Sequence, residues 1–432
     1  MTIHTITAGE TLYSVGAAYG VSPGLIARWN GLPDGGALAV GQSLLILYPQ
    51  EIYTVRQGDT LYSVAGQFGV SPLTLLRNNP NLGGRTVLYP GQVLVIRFDD
   101  QPQQQIDVSG YAYPYVRENV LREILPYATI LMPFTYGFAV DGTPVELEDA
   151  RLIALAEEYG VLPYLHLSTL TESGGFSSER AARLFQDPAA QARLLTELVQ
   201  IAQARGYRGI DLDFEYIEPE YADDYAAFAG RVREAAHAIG GELIVALAPK
   251  ISADQPGVLY EGHDYAAIGA NADAVLLMTY EWGYTYGPPM AVAPIASVRR
   301  VLDYAVTEIP PEKIFMGFPN YAYNWTLPYV AGSTRAQLIS NDAAVQLAVR
   351  YGAEIRFDEV SQTPYFSYTD TAGAKHEVWF EDPRSCAAKF ALIGQYGFRG
   401  IGFWNFMRTF PAGFLLLNAM YRLRNAALGG EV

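Results

Sequence analysis

Asp211, Asp213 and Glu215 occupy alternate positions in the run Gly209-Ile210-Asp211-Leu212-Asp213-Phe214-Glu215. In a β-strand successive side chains point to opposite faces, so the three acids share one face and Ile210, Leu212 and Phe214 share the other. Burying ionised carboxylates costs several kcal/mol unless they are paired, hydrogen-bonded or held neutral. Three of them on one face of an otherwise apolar strand therefore point to a hydrolytic acid/base site. Neighbouring carboxylates cannot both ionise cheaply, so their pKa values are pushed apart. The outer one, Glu215, can then stay protonated near neutral pH and serve as a general acid.

Acids of this kind need a rigid element beneath them. Beyond residue 105, apolar strand-like runs alternate with amphipathic helical segments, at 106–113, 129–138, 161–168, 207–215, 242–249, 273–281, 313–320 and 399–406. Eight such strands predict an α/β fold, a (β/α)8 barrel over 106–428, with the long gap at 321–382 holding a small α+β insertion. Within that gap 355–357, 365–369 and 377–380 read as strands. In such a barrel, functional side chains project from the C-terminal strand ends. Glu215 then ends the fourth strand, with Asp213 one pleat deeper and Asp211 deeper still. Tyr111, Tyr113 and Tyr136 stand at strand ends where a flat apolar ring with a polar tip suits a sugar. His166, ending the third strand, reads as a satisfied polar core group.

The first hundred residues contain an internal repeat. The segment around Gly9, Thr11 and Leu12 recurs at Gly58, Asp59, Thr60 and Leu61, an offset of 49 residues that also relates Ser22-Pro23 to Ser71-Pro72 and Asn30 to Asn79. Each copy, 1–48 and 51–98, reads as strand, helix, helix, strand. Thr11 and Thr60 suit the N-cap of the first helix, Gly20 and Gly69 its C-terminal turn, and Ser-Pro the start of the second. A polar stretch at 99–105 reads as a linker.

Both copies resemble the LysM module along their full length. That resemblance implies binding to N-acetylglucosamine-containing glycans, with sugar held by the loops 9–12 and 30–33 (Gly9, Thr11, Asn30) and 58–61 and 79–82 (Gly58, Asp59, Thr60, Asn79). The barrel resembles glycoside hydrolase family 18, whose motif D-G-x-D-x-D-x-E is met from Arg208 to Glu215, with Arg208 in place of the first Asp. Met278-Thr279-Tyr280-Glu281 is similar to the family's M-x-Y-D, with Glu281 for Asp, and Trp404 stands where the family has an aromatic floor. The resemblance implies substrate-assisted retaining hydrolysis, an exception to the two-carboxylate scheme. It implies Glu215 as proton donor, Asp213 as the partner of the substrate's acetamido group, and Tyr280 as a hydrogen-bond donor to it. Trp404, Tyr111, Tyr136 and Glu281 would bind substrate. Asp211 is open between a catalytic and a structural role. No metal and no cofactor is implied. Tandem modules ahead of such a barrel look like the spore cortex-lytic N-acetylglucosaminidases of endospore-forming bacteria. The expected partner is accordingly peptidoglycan or cortex glycan, with a chitinase or an inactive glycan-binding protein as alternatives.

Composition bounds the rest. A chain of 432 residues, half of them hydrophobic, builds a substantial core. A net charge of −16 argues against a nucleic-acid partner. The single cysteine, Cys386, excludes an intramolecular disulfide and reads as packing. No run of 18 apolar residues predicts a transmembrane helix. The start lacks a basic and an apolar region, so no secretory signal is expected; this fits a spore-associated or a cytoplasmic location.

Overall fold

The structure is a computed structural model that describes residues 1–33, 36–99, 102, 104–171 and 174–425. Residues 100, 101 and 103 of the expected linker, 34–35 of the first repeat and 426–428 at the expected barrel end lie outside the described residues.

Eight parallel strands form the barrel: β1 Gln105–Ala112, β2 Ile130–Pro133, β3 Leu165–Ser168, β4 Gly209–Asp213, β5 Glu242–Leu247, β6 Ala274–Leu277, β7 Ile314–Pro319 and β8 Gly400–Trp404. They pair in that order, and β8 returns to β1. A short piece, Leu162–Pro163, pairs with β2 just ahead of β3, and Tyr136 bridges Leu167, so the circuit closes through the third strand. Apolar residues divide between two layers. Ile210, Leu212 and Phe214 join the core between strands and outer helices. Tyr111, Met132, Phe134, Tyr164, Ile244, Leu276 and Phe315 fill the barrel itself. This filling makes the barrel a packed core whose chemistry is confined to its rim.

Two strands are shorter than their sequence runs. The run 129–138 stops as strand at Pro133, and Gly137–Phe138 pairs separately with Pro144–Val145. The run 207–215 stops at Asp213, so Glu215 stands two residues past the ladder. Between β7 and β8, the insertion is a five-stranded antiparallel sheet with the helix Asn341–Tyr351. It includes Ala322–Leu327 and Gln337–Ile339 besides the three strands read from sequence. A buried pair, Lys389 Nζ to Glu381 Oε2 at 2.7 Å, ties it to the helix Pro383–Tyr396.

Each N-terminal repeat folds as strand, helix, helix, strand, with Thr2–Thr5 pairing Ser43–Ile46 and Pro49–Thr54 pairing Val93–Phe98. Thr11 with Ser14, and Thr60 with Ser63, form reciprocal capping boxes. The modules are docked on the barrel. Arg77 Nε donates to Pro126 O (2.6 Å), Tyr159 Oη to Gly84 O (2.6 Å), Ile355 N to Val40 O (2.9 Å) and Arg384 Nη2 to Gly41 O (3.1 Å). Both glycines are in the left-handed region, and a Cβ there would meet Ile355 O at 1.8 Å from Gly41 or Arg122 O at 1.9 Å from Gly84. No helix among the described residues is long and apolar enough to cross a membrane.

Candidate active site

The alternation of β4 sends Asp211 and Asp213 into the barrel mouth, and β3 pairs with it so that His166 lies beside Asp211 and Ser168 beside Asp213. His166 and Asp211 are fully buried, with Nδ1 at 2.5 Å from Asp211 Oδ2. His166 Nε2 lies 3.8 Å from Asp213 Oδ2. Asp213 is pushed up to about 7 by burial, with His166 opposing and Asp211 adding a smaller upward push. Glu215 is held well above the ordinary carboxylate range by burial, then by Asp213 and Glu281. These are the conditions under which one carboxyl of a close pair keeps its proton near neutral pH.

The backbone between the two acids is pinned from behind. Phe214 is buried and stacks on Tyr225 with ring centres 5.9 Å apart, while its carbonyl accepts from His263 Nε2 at 3.0 Å. His263 Nδ1 in turn accepts from Ala248 N at 3.0 Å, which fixes the tautomer, and burial pushes this histidine down to about 4. It is therefore a neutral strut under the loop that carries Glu215.

Tyr280 follows β6. Its phenol is raised by burial and then by Asp213, Glu215, Glu281 and Asp211. Gly317 makes room for it, since a Cβ there would meet the Tyr280 ring at 2.8 Å. Glu281 has a left-handed φ of 67° and accepts hydrogen bonds from Tyr321 and Tyr323, the latter at 3.1 Å. Trp404 ends β8 half-buried, its ring edge-on to Phe134 (5.0 Å) and Tyr111 (5.4 Å). Beyond Glu215, Phe176, Ser178, Tyr216, Glu218 and Val258 line an open hollow of about 420 Å³.

Three readings from sequence need correction. Tyr136 does not face the cleft: it is fully buried in the outer layer and donates to Asp149, which also binds Tyr207 and, at 2.5 Å, Arg205 Nη1. The alternation that placed it inward ends with β2 at Pro133, and Phe134 takes the inward place. Asn30 and Asn79 are not free to hold sugar. Asn30 Nδ2 donates to Ile26 O and Leu45 O and its Oδ1 accepts from Leu45 N; Asn79 does the same with Leu75 O, Val95 O and Val95 N. Each amide locks the second helix to the last strand of its module, all within 2.9 Å. Finally, His166 is more than a satisfied core group, because it joins the two aspartates. The signal was present: in Leu165-His166-Leu167-Ser168 the polar residues alternate as the acids do.

The other positions are placed as follows. Asp59 accepts from Tyr53 Oη (2.8 Å) and Arg56 N (2.7 Å), and Gly9 and Gly58 turn with φ of 88° and 91°. Arg208 is exposed at the opposite end of β4, and Cys386 is buried. No cluster of three potential metal ligands occurs among the described residues.

Comparison with known proteins adds independent findings. The family described as glycosyl hydrolases family 18 matches residues 165–408, and the LysM domain matches 4–47 and 53–97. A cortical fragment-lytic enzyme of Bacillus subtilis (strain 168) is 40% identical over 429 residues, covering 98% of this chain and 99% of that protein. The crystal structure of the Bacillus cereus spore cortex-lytic enzyme SleL superimposes with a TM-score of 0.84 at 35% identity, covering 98% of this chain and 99% of the other. A chitinase structure from Chromobacterium violaceum reaches a TM-score of 0.66 at 25% identity, over 76% of this chain and all of that one.

Proposed function

The chain belongs to glycosyl hydrolase family 18 and carries two LysM domains, and from that premise we propose that it cleaves spore-cortex peptidoglycan after N-acetylglucosamine. One observation carries the chemistry: a half-buried Glu215 stands two residues past β4, next to Asp213 at the mouth of the barrel, where desolvation and the neighbouring acids favour its protonated form. The choice of cortex glycan is supported by full-length similarity to a cortical fragment-lytic enzyme, whereas likeness to chitinases is more distant. Those relatives also support action at the spore.

In this reading Glu215 donates its proton to the glycosidic oxygen as the bond to the anomeric carbon breaks. The carbonyl oxygen of the substrate's own 2-acetamido group attacks that carbon and forms an oxazolinium ion. Asp213, as carboxylate, accepts from the acetamido N–H and offsets the positive charge, and Tyr280 donates to the acetamido oxygen. Glu215, now a carboxylate, takes a proton from the water that opens the ring, so configuration is retained. Trp404 carries the apolar face of the sugar, with Tyr111 behind it, and Glu281 lies along the groove. The modules add binding through the loop backbone at 9–12 and 58–61 and the exposed rings Tyr13 and Tyr62 at equivalent positions beside them.

Mass spectrometry of cortex digests tests this. Fragments ending in reducing N-acetylglucosamine are expected, and no product is expected from glycans without N-acetyl groups. Intact cortex fragments with efficient cleavage of chitin oligomers would transfer the reading to a chitinase; no cleavage of either, identical to Glu215→Gln, would leave a binding protein.

A further inference from the structure

His166 sits buried between two carboxylates. The imidazole is fully buried, as is the Asp211 side chain at 2.5 Å from Nδ1, and Nε2 has Asp213 Oδ2 as its nearest charged neighbour at 3.8 Å. Nε2 and the second oxygens of both aspartates have no hydrogen-bond partner among the described residues. The ring stacks on Phe134, centres 4.7 Å apart and planes at 24°, and meets Tyr111 edge-on at 5.2 Å. An aromatic face favours a cation above it.

Charge balance then decides between the ring's states. No Lys or Arg side chain bonds to Asp211, Asp213 or Glu215 among the described residues. Lys250 is held by the carbonyls of Ala253 and His263, and Arg208 lies at the far end of the strand. The titratable groups that interact electrostatically with the cluster are the phenols of Tyr111, Tyr113, Tyr225 and Tyr280 and the carboxyls of Glu215 and Glu281, none of which supplies a positive charge at neutral pH. With a neutral ring, an ionised Asp211 would be uncompensated and would oppose ionisation of Asp213. With a doubly protonated ring, Asp211 is neutralised, and Nε2–H faces Asp213 and favours its anionic form.

We infer that His166 is a positioning residue that carries both ring protons, neutralises Asp211, and so keeps Asp213 anionic while Glu215 remains protonated. Strand pairing places it for this, because His166 and Asp211 are register partners on β3 and β4. The role rests on the assignment of Asp213 and Glu215 given above, but the state of the ring can be read without any substrate.

The test has two arms. In the full-length protein labelled with 15N-histidine, five histidines are expected, and the resonances lost in His166→Asn identify this one. At about pH 6.5, the reference pKa of histidine, both of its ring nitrogens should show the imidazolium signature with a strongly deshielded Nδ1 proton. A single neutral tautomer overturns the inference. In the second arm, His166→Asn keeps one donor toward Asp211 and loses the charge. The acid limb of kcat should move up by about one pH unit, with kcat at about pH 6 falling by up to ~10-fold and KM changing less. A uniform fall across pH, as from mere loss of packing, or no fall at all, overturns it equally. If His166→Asn does not fold, residue-specific assignment in the unaltered chain still decides the first arm. Activity persisting in Glu215→Gln would sink the catalytic assignment and leave the ring's protonation to be judged by its own spectrum.

Discussion

The two ends of the barrel hold buried acids under opposite conditions. At the N-terminal end Asp107 is 1% exposed and is met by two guanidinium groups, Arg399 Nε at 2.9 Å and Arg424 Nε at 2.9 Å, while Arg399 also reaches Glu242 at 2.7 Å. Arg399 further lies over the Phe315 ring that floors the barrel, 5.2 Å from its centre. At the C-terminal end Asp211 and Asp213 share one imidazole, and Glu215 beyond them has no cationic partner among the described residues. The first cluster matches its two acids with two guanidinium groups, and the second is short of cations. A carboxylate met by guanidinium groups is fixed in place by charge-assisted hydrogen bonds, which serves stability. Carboxyls deprived of counter-charge hold protons that can be moved, which serves catalysis. Both arise from the same strands, whose alternation turns acids inward at either end.

The sharpest way to break this contrast is to exchange effects between the ends. Glu215→Gln should lower kcat on cortex fragments by about 10³-fold or more, within the usual worth of a general acid, and should leave Tm unchanged or raised. Removing a proton-holding acid takes away function and little else. Asp107→Asn should do the reverse. It leaves Arg399 with Glu242 alone and the half-exposed Arg424 beside a neutral amide, and losing charge-assisted hydrogen bonds to the buried carboxylate costs about 2 kcal/mol. Urea midpoint should therefore fall while kcat at 25 °C stays within about twofold. If Asp107→Asn instead slowed turnover as much as it lowered stability, the division between the ends would be wrong.

How far the contrast could be read in advance depends on what each residue answers to. The acids of β4 were legible because alternation is local and an apolar strand does not carry three acids in step unless they have a task. The barrel was legible for the same reason, run by run. The pairing of His166 with Asp211 was not, since it depends on the register between two strands 45 residues apart. Tyr136 was misplaced because a period of two holds only while the strand lasts, and this one ends at Pro133. Asn30 and Asn79 show a different limit. Repetition in two modules says that a residue is needed, and the need of the fold for a helix-to-strand clamp looks the same in sequence as the need of a ligand. Docking of the modules had no local signature, because Gly41 and Gly84 reveal their close approaches only against the barrel.

That docking offers a smaller test of the same division between holding and reacting. Gly84→Ala places a Cβ at 1.9 Å from Arg122 O and at a φ of +70°, so the second module must shift. Turnover of short soluble oligosaccharides should be unaffected. Release from insoluble cortex should fall about tenfold as the module's contribution to local concentration is lost with its geometry. Equal losses on both substrates would mean that the seam supports the active site as well.

The smallest effect is expected at Asp342, in the seam between the first module and the insertion. Its carboxyl lies against Gly31, and burial, with Glu123 adding, pushes it up to about 7. A group whose folded pKa is raised binds more protons folded than unfolded, so its stabilising contribution is complete below about 4 and is lost as pH rises through about 7. The N-terminal turn of the helix Asn341–Tyr351 favours the anion, which partly offsets the loss. Asp342→Asn resembles the protonated acid. It should leave Tm unchanged at about pH 3.5, below the unfolded pKa, and raise it on the order of 2 °C at about pH 8. A gain at both pH values would point to packing rather than charge. A drop at pH 8 would mean that the helix terminus outweighs burial at this seam.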